Sequence, residues 1–307
     1  MTPTARSITL LAGSAHEALA TAVATELGVR PGAYAAQRFP DGEMYVGVGP
    51  DVAGQDVVVV QPTGNPAGEN LLELLLLADG CRRAGARTLT ALVPYVGYAR
   101  QDHRAGRESL GMRVVAEMIG SKFDHLVAVD LHSTAVEGFF SVPLVHLSAA
   151  TLLAESLRPS LSRKSIVVAP DLGAVKLARS YATALDLPMA IVHKTRLSAT
   201  EVIAERVIGE VRGLEPLVID DMVTTGGTVA AAADVLRAQG CSQSIRAVAT
   251  HGVLVPGSTK RLADHGIREL LVTDTLPVSA DSALPTRVVS VAALLAGAVR
   301  DIARSYT

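Results

Sequence analysis

The chain has 307 residues, enough for two domains of ordinary size, and its formal net charge of −2 argues against a broad nucleic-acid surface. Hydrophobic residues make up 49% of the chain and aromatic residues only 3%, so the core must be aliphatic, as in a parallel sheet covered by helices on both faces. Two cysteines are too few for a disulfide framework or a cysteine metal cluster, and a reducing cytoplasm is the simplest compartment.

Two apolar stretches bear on membrane association. The N-terminal stretch ITLLAG is too short for a secretory signal and reads better as a first strand. The most apolar run, LLELLLLADG, is interrupted by Glu73 and Asp79 and is too short and too charged to span a membrane. We therefore expect no membrane partner.

Short β-branched runs alternate with amphipathic stretches along the chain, which predicts βαβ units and a mostly parallel sheet. The candidate strands are 7–12, 57–61, 88–94, 125–130, 165–169, 216–219, 244–251 and 269–273. The helical patterns include 15–27, 69–84, 112–119, 149–157 and 227–239.

The two halves of the chain repeat one pattern. Residues 57–94 and 216–252 each read as a strand, a loop, a helix, a glycine and a second strand, with Gly85 and Gly240 as the helix stops, about 155 residues apart. The echo predicts a duplicated α/β domain. We place the domains at 1–148 and 149–307, with the last helix as a candidate to pack back on the first.

Segments 38–46 and 93–109 carry candidate ligand groups in the first half. The Pro-Asp-Gly-Glu run at 40–43 is, by itself, typical of a hairpin turn. Segment 93–109 follows a predicted strand and is rich in arginine, and guanidinium groups bind phosphate oxygens with good geometry. This segment indicates either a polyphosphate grip or a solvated basic loop.

The segment 218–228, VIDDMVTTGGT, reads as a strand that ends in a phosphate loop. Asp220 and Asp221 would follow the buried Val218 and Ile219, where open α/β sheets present ligands. The Thr-Thr-Gly-Gly-Thr run would open a helix whose N-terminal amides bind an anion. A plain strand–turn–helix is the alternative, but the paired acids suit the hydroxyls of a ribose.

This segment resembles the motif for phosphoribosyl pyrophosphate (PRPP) that PRPP synthetases share with type I phosphoribosyltransferases, and it lacks the Gly-Lys-Ser/Thr of a P-loop. Five further segments resemble the PRPP synthetase (ribose-phosphate pyrophosphokinase) family, in the family's order: RFPDGEMYV, PYVGYARQD, DLHSTAVEGFF, APDLGAV and VHKTRLSATEV. The resemblance implies an enzyme built from two tandem phosphoribosyltransferase-like domains, each a mostly parallel sheet flanked by helices.

The family pattern also implies site residues. Those implied to bind ATP are Phe39, Asp41, Glu43, Arg100, Gln101, His103 and Arg104. Those implied to bind ribose 5-phosphate are Asp220, Asp221, Thr224, Thr225, Gly226, Gly227 and Thr228. Mg²⁺ would be bound by His132 and Asp171, and Lys194 and Arg196 would be the catalytic residues of a mobile loop that follows a strand.

The implied reaction transfers the β,γ-diphosphoryl group of ATP to the 1-hydroxyl of ribose 5-phosphate and gives PRPP and AMP. Mg²⁺ is the implied cofactor, and ATP and ribose 5-phosphate are the implied partners. The resemblance also implies a homo-oligomer, either a dimer or a multiple of dimers. No nucleic acid is expected.

The chain departs from the commonest form of the PRPP motif, where an acid and an alanine stand in place of Thr224 and Gly226. In this respect, and in the K-T-R-x-S-x-T-E-V loop, it resembles the archaeal-type class. Three alternatives stay open: a type I phosphoribosyltransferase that consumes PRPP, a non-catalytic regulatory homologue, and a synthetase for another sugar phosphate. The ATP-side segments argue against a transferase.

Overall fold

The computed structural model describes residues 7–104, 106–196, 203–279 and 283–305, and the side chains of 194–205 lie outside the described part. The chain divides into two compact units. The first contains the described residues up to Leu147, together with Thr275–Pro277 and the residues from Ser290 onward. The second contains Ser148–Asp274 and Val278–Val289.

The first unit contains a five-stranded parallel sheet in the order β1-β4-β5-β6-β7. Its strands are β1 (Ile8–Ala12), β4 (Asp56–Val60), β5 (Thr88–Val93), β6 (His125–Val129) and β7 (Leu144–Leu147). An antiparallel hairpin of β2 (Tyr34–Arg38) and β3 (Met44–Val48) forms a separate two-stranded sheet. The helices between these strands are α1 (Glu17–Leu27), α2 (Ala67–Arg83) and α3 (Gly111–Gly120).

The second unit contains a seven-stranded sheet in the order β10-β9-β8-β11-β12-β13-β14. Its strands are β8 (Ser165–Ala169), β9 (Met189–Arg196), β10 (Ile203–Ile208), β11 (Glu215–Val223), β12 (Ile245–Gly252), β13 (Ile267–Thr273) and β14 (Thr286–Val289). Among the described strand pairs of this sheet, the edge pair β9–β10 is antiparallel and the others are parallel. Its helices are α4 (Ala150–Leu157), α5 (Val175–Leu185), α6 (Gly227–Ala238) and α7 (Ser258–Asp264).

The last helix, α8 (Ala292–Arg304), belongs to the first unit, where it packs against α1. The Arg300 guanidinium donates a hydrogen bond to the Glu26 carbonyl oxygen of α1. The division differs from the sequence domains 1–148 and 149–307 at three places. Ser148 is part of the second unit, whereas Thr275–Pro277 and the residues from Ser290 onward are part of the first.

Both units have an aliphatic core on each side of a mostly parallel sheet. Strands β6 and β8 are buried along their whole length, as expected for strands that are covered on both faces. Valine, leucine, isoleucine and alanine dominate both core clusters. The α/β fold class is therefore confirmed. Within the described residues, no helix is long and apolar enough to cross a membrane.

Candidate active site

The phosphate loop lies at the N-terminus of α6. Gly226 occupies the N-cap position with a φ of 75°, and a β-carbon there would lie 3.1 Å from the Leu262 side chain, so both conformation and space favour glycine. The hydroxyl Oγ1 of Thr224 is buried without a hydrogen-bond partner in the described structure. An unsatisfied hydroxyl beside the first amides of a helix suits an anion such as a phosphate group.

Residues that follow α6 in the chain hold this loop in place. The Val255 amide donates to the Thr224 carbonyl at 3.1 Å, and the Arg261 guanidinium donates to the Thr225 carbonyl at 3.3 Å. The hydroxyl of Thr225 accepts a hydrogen bond from the Gly227 amide at 3.3 Å. Because its carbonyls are bonded to neighbouring elements, the loop is held in place before any ligand arrives.

The paired acids lie inside β11, which the sequence prediction ended at Ile219. That boundary is wrong, since β11 runs to Val223 and pairs with β12 over this stretch. Strand β8 pairs with β11 only as far as Val218, so Asp220 and Asp221 lie where one neighbouring strand has already stopped. The acids are thereby presented at an open side of the sheet, although they are still in a strand.

Asp220 has a perturbed carboxyl group. Its burial, followed by the charge and hydrogen bond of Asp221 and a smaller effect of Asp171, raises the pKa of Asp220 to about 8. The Asp221 amide also donates to the Asp220 Oδ1 atom at 2.9 Å. Like charges in so confined a site cannot both ionise freely, so a cation or a ligand hydroxyl would relieve the repulsion.

Asp171 begins the loop after β8 and accepts a hydrogen bond from the Ala174 amide at 3.1 Å, just before α5. Its charge acts on Asp220, so these carboxylates of the second unit lie near one another. Among the described residues, no three His, Cys, Asp or Glu side chains are arranged to hold a metal ion. Carboxylate oxygens are the ligands that a hard cation such as Mg²⁺ prefers, and this ion usually binds one or two carboxylates together with substrate phosphates.

The hairpin tip 39–43 carries an exposed aromatic side chain. Phe39 is 49% exposed and meets the Tyr45 ring edge-on, with the centroids 6.2 Å apart. Two hydrogen bonds close the turn. The Phe39 amide donates to the Glu43 carbonyl at 2.9 Å, and the Glu43 amide donates to Asp41 Oδ1 at 3.1 Å. The segment is thus a hairpin turn that also presents a half-exposed ring.

The arginine-rich segment after β5 begins with a tightly fixed turn. A β-carbon on Gly97 would lie 2.3 Å from the Thr63 carbonyl, and the Gly97 amide donates to the Thr63 hydroxyl at 2.8 Å. Tyr98 then adopts a left-handed φ of 65°. The close approach of the loop after β4 therefore requires glycine and sets the direction in which the basic residues leave the sheet.

The basic residues themselves are exposed. Arg100, Gln101, His103 and Arg104 are all on the surface, and the Gln101 carbonyl accepts from the Met112 amide at the start of α3 at 3.1 Å. The His103 Nδ1 atom lies 2.7 Å from the Asp102 carboxylate. Burial alone would raise the pKa of Asp102, but hydrogen bonds from His103 and the backbone, with the charges of His103 and His132, hold it below its ordinary value.

His132 follows β6 in the first unit and is exposed. Its charge acts on Asp102, so the structure brings the Asp-Leu-His segment close to the arginine-rich one. The two residues expected to bind Mg²⁺ thus lie in different units, His132 in the first and Asp171 in the second.

Lys194 and Arg196 belong by their backbones to the end of β9, which pairs with β10 up to Arg196. The sequence expectation placed them in a loop after the strand, whereas the strand includes both. Their side chains lie outside the described residues, as does the remainder of that loop, 197–202.

Sequence reasoning missed the residues that support the site. Tyr45, Thr63 and Arg261 contact the hairpin tip, the turn at Gly97 and the phosphate loop, respectively. Thr63 and Arg261 lie outside every segment that the sequence singled out, and Tyr45 lies within segment 38–46 but was given no role. Only the aromatic spacing of Phe39 and Tyr45, on either side of a short turn, offered a signal.

Two family models match the chain. The N-terminal domain of ribose phosphate pyrophosphokinase matches residues 8–122, and the phosphoribosyl synthetase-associated domain matches residues 197–306.

Similar proteins extend this likeness over nearly the whole chain. A ribose-phosphate pyrophosphokinase of Gloeobacter violaceus is 42% identical over 94% of this chain and 88% of its own length. One of Corynebacterium glutamicum is 40% identical over 97% of this chain and 93% of its own. The crystal structure of phosphoribosylpyrophosphate synthetase from Mycobacterium smegmatis superimposes with a TM-score of 0.91 at 38% identity, covering 98% of this chain and all of that one. The chain therefore belongs to the ribose-phosphate pyrophosphokinase family.

Proposed function

We propose that the chain is a ribose-phosphate diphosphokinase that transfers the β,γ-diphosphoryl group of ATP to the 1-hydroxyl of ribose 5-phosphate. The observation that carries this proposal is the presence, in one chain, of the phosphate loop with its paired acids and of the arginine-rich and aromatic segments. A transferase that consumes PRPP needs the first set and has no use for the second.

On the sugar side, the 5-phosphate binds at residues 224–228, where the α6 amides and the unsatisfied Thr224 hydroxyl supply donors. Asp220 and Asp221 accept hydrogen bonds from the ribose hydroxyls. The loop is fastened before the ligand binds, so little ordering entropy is lost on binding.

On the nucleotide side, the half-exposed Phe39 ring stacks on adenine, and Asp41 and Glu43 lie at the same turn. Arg100 and Arg104, with Gln101 and His103, contact the ATP phosphates. Guanidinium groups remain charged at all relevant pH values and bind phosphate oxygens in pairs. The turn at Gly97 fixes the point from which these side chains extend.

Mg²⁺ is the proposed cofactor, and when bound it would neutralise and orient the phosphate oxygens. Asp171 and the Asp220–Asp221 pair supply oxygen ligands of the kind this ion prefers. His132 is proposed to contact the nucleotide side, directly or through water.

The chemical step needs no covalent enzyme intermediate. The 1-hydroxyl attacks the β-phosphorus and AMP leaves, so the protein contributes positioning and charge neutralisation. Lys194 and Arg196 are proposed to neutralise the migrating phosphates. A cytoplasmic location, assembly into a homo-oligomer and membership of the archaeal-type class remain predictions.

The test is phosphorus NMR of the purified protein with ATP, Mg²⁺ and ribose 5-phosphate. We expect AMP and PRPP to appear together in equal amounts. A phosphoribosyltransferase or a non-catalytic homologue would produce neither, and another sugar phosphate that gave faster turnover would redirect the substrate assignment. The double variant Lys194→Ala, Arg196→Ala should lose turnover, and a retained rate would refute those two roles.

A further inference from the structure

The turn that follows β6 is held in an unfavourable conformation. Asp130 has a φ of 36°, in the left-handed region that a residue with a β-carbon seldom adopts. Its amide donates to the Leu147 carbonyl of β7 at 2.8 Å. Such a conformation persists only where neighbouring groups fix it. The conformation of Asp130 sets the direction of the backbone at the next two residues, Leu131 and His132.

The group that fixes the next residue is His146 of β7. Its Nε2 atom accepts a hydrogen bond from the Leu131 amide at 2.9 Å. Leu131 is 8% exposed, so that amide has little access to water, and it would be costly to leave without an acceptor. His146 pairs with Ala128 across the β6–β7 ladder, which places its ring beside the end of β6.

A second contact fixes the orientation of the His146 ring. The Nδ1 atom lies 2.7 Å from Oε1 of Glu137, which belongs to a 3-10 turn at Thr134–Phe139. Since Nε2 accepts a hydrogen bond, the ring proton must be on Nδ1, and Nδ1 therefore donates to Glu137. The chain of donors runs from the Leu131 amide through the imidazole to the Glu137 carboxylate.

We propose that Glu137 and His146 form a positioning pair that fixes the backbone of Asp130 to His132 and so aims His132. This inference rests on the proposed function, in which His132 contacts the metal–nucleotide side. Neither member of the pair touches substrate; each acts through the Leu131 amide. Groups that orient a ligating side chain in this way typically change affinity or activity by roughly 10- to 100-fold when they are removed.

The pair itself is tested without turnover. In ¹⁵N-histidine NMR of the wild-type protein, the signal that disappears in His146→Gln should report a neutral ring with its proton on Nδ1. Hydrogen-exchange mass spectrometry should show a slow amide at Leu131 that exchanges faster in His146→Ala and also, to a smaller extent, in Glu137→Ala. A proton on Nε2, a charged ring, or an unchanged Leu131 amide would overturn the inference.

The consequence for the reaction is tested by steady-state kinetics. For His146→Ala we expect the KM for Mg²⁺-ATP to rise, or kcat to fall, by roughly 10-fold, with the KM for ribose 5-phosphate changed less than about 2-fold. His146→Gln should recover most of this loss, because its side-chain oxygen can replace Nε2 as acceptor. Glu137→Ala, at an exposed side chain, should show a smaller shift of the same kind and preserves the test if His146→Ala fails to fold.

The matched control is His265→Ala. His265 also has its Nδ1 atom 2.7 Å from a carboxylate, that of Asp234, but is not bonded to a backbone amide of the site. It should lose some thermal stability and keep both KM values. An equal kinetic change in the control, or no recovery in His146→Gln, would overturn the positioning role. A wild-type protein that makes no PRPP overturns the proposed function instead, and the tautomer and exchange measurements then decide the inference alone.

Discussion

Asp220 shows how burial and a neighbouring charge can make one carboxyl oppose folding. Its burial and its neighbour Asp221 raise its pKa to about 8, whereas in the unfolded chain it has the ordinary value of an aspartate. Between about pH 4 and pH 8 the folded state therefore binds more protons than the unfolded state at this site. The contribution of Asp220 to the free energy of unfolding therefore falls as the pH rises through that window.

Replacing Asp220 by Asn should remove this penalty. We expect Asp220→Asn to be more stable than the wild type by several kcal/mol at pH 8, with a smaller gain at pH 5. Urea unfolding at both pH values, in the presence of a chelator to exclude divalent cations, measures the difference. A gain that is equal at the two pH values would contradict the assignment.

Asp234→Asn is the control, and it should change the free energy of unfolding in the opposite direction. Hydrogen bonds from Arg237 and His265 outweigh the effect of burial and hold the pKa of Asp234 below its ordinary value. That carboxylate therefore stabilises the fold above its unfolded-state pKa, and the contribution is lost as the pH falls. The variant should be less stable than the wild type at pH 8.

Two adjacent glycines of the phosphate loop should differ in what they contribute to stability and to ligand binding. Gly226 has a φ of 75° and lies against Leu262, whereas a β-carbon on Gly227 would make only ordinary contacts, with the Thr225 hydroxyl at 3.5 Å and the Arg261 guanidinium at 3.9 Å. Gly226→Ala should therefore lower the free energy of unfolding by about 1–3 kcal/mol. Gly227→Ala should leave it within about 1 kcal/mol of the wild type, because alanine is the better helix former.

Binding should rank the same two variants differently. The Gly227 β-carbon would stand at the first turn of α6, where the 5-phosphate is proposed to bind, and would obstruct the anion. Calorimetric titration with ribose 5-phosphate should show weaker binding in Gly227→Ala despite its normal stability. Unchanged affinity in that variant would place the phosphate elsewhere.

The hairpin of β2 and β3 presents Phe39 and braces it with Tyr45. Edge-to-face pairs of this kind contribute about 0.5–1.5 kcal/mol. Tyr45→Ala should raise the KM for ATP by roughly 2- to 10-fold, since about 1.4 kcal/mol corresponds to a factor of ten. The KM for ribose 5-phosphate should not change.

Tyr45→Phe is the matched control, because it keeps the ring and loses only the hydroxyl. It should retain the wild-type KM for ATP. If Tyr45→Phe and Tyr45→Ala were equally impaired, the hydroxyl and not the ring contact would be responsible.

On the scale of the molecule, the alternation of apolar runs was enough to predict the α/β fold and most strands. It failed where strand pairing is one-sided. Asp220 and Asp221 are charged, so the sequence pattern assigns them to a loop. They lie in β11 because pairing with β12 continues after pairing with β8 has ended at Val218. The β9–β10 pair was missed because its polar residues, such as Lys194 and Arg196, break the apolar run.

The site was predictable only as far as its motifs reach. Runs such as TTGGT and ARQDHR name ligand groups directly, but the partners that hold them are distant in sequence. His146 lies 15 residues from Leu131, and Arg261 lies 36 from Thr225. Such pairings depend on strand order and helix packing, which cannot be read from the residue pattern of one sequence.

The return of the chain to the first unit leads to the last prediction. α8 contacts α1 and turns Ala292, Leu295, Ala296 and Val299 inward, which is the i, i+3, i+4, i+7 stripe of a helix that packs on one face. Leu295 is fully buried. Leu295→Ala should therefore lower the free energy of unfolding by about 2–5 kcal/mol, through lost burial and the cavity that remains.

This loss should appear in the first unit, even though Leu295 comes after the second unit in sequence. Hydrogen exchange should accelerate in α1 and α8 of Leu295→Ala, while amides of β11 and β12 remain as protected as in the wild type. Arg304→Ala is the control on the same helix, since the Arg304 side chain is 76% exposed and should alter stability by less than about 0.5 kcal/mol. Faster exchange confined to the second unit would contradict this prediction, because it would mean that Leu295 stabilises that unit and not the first.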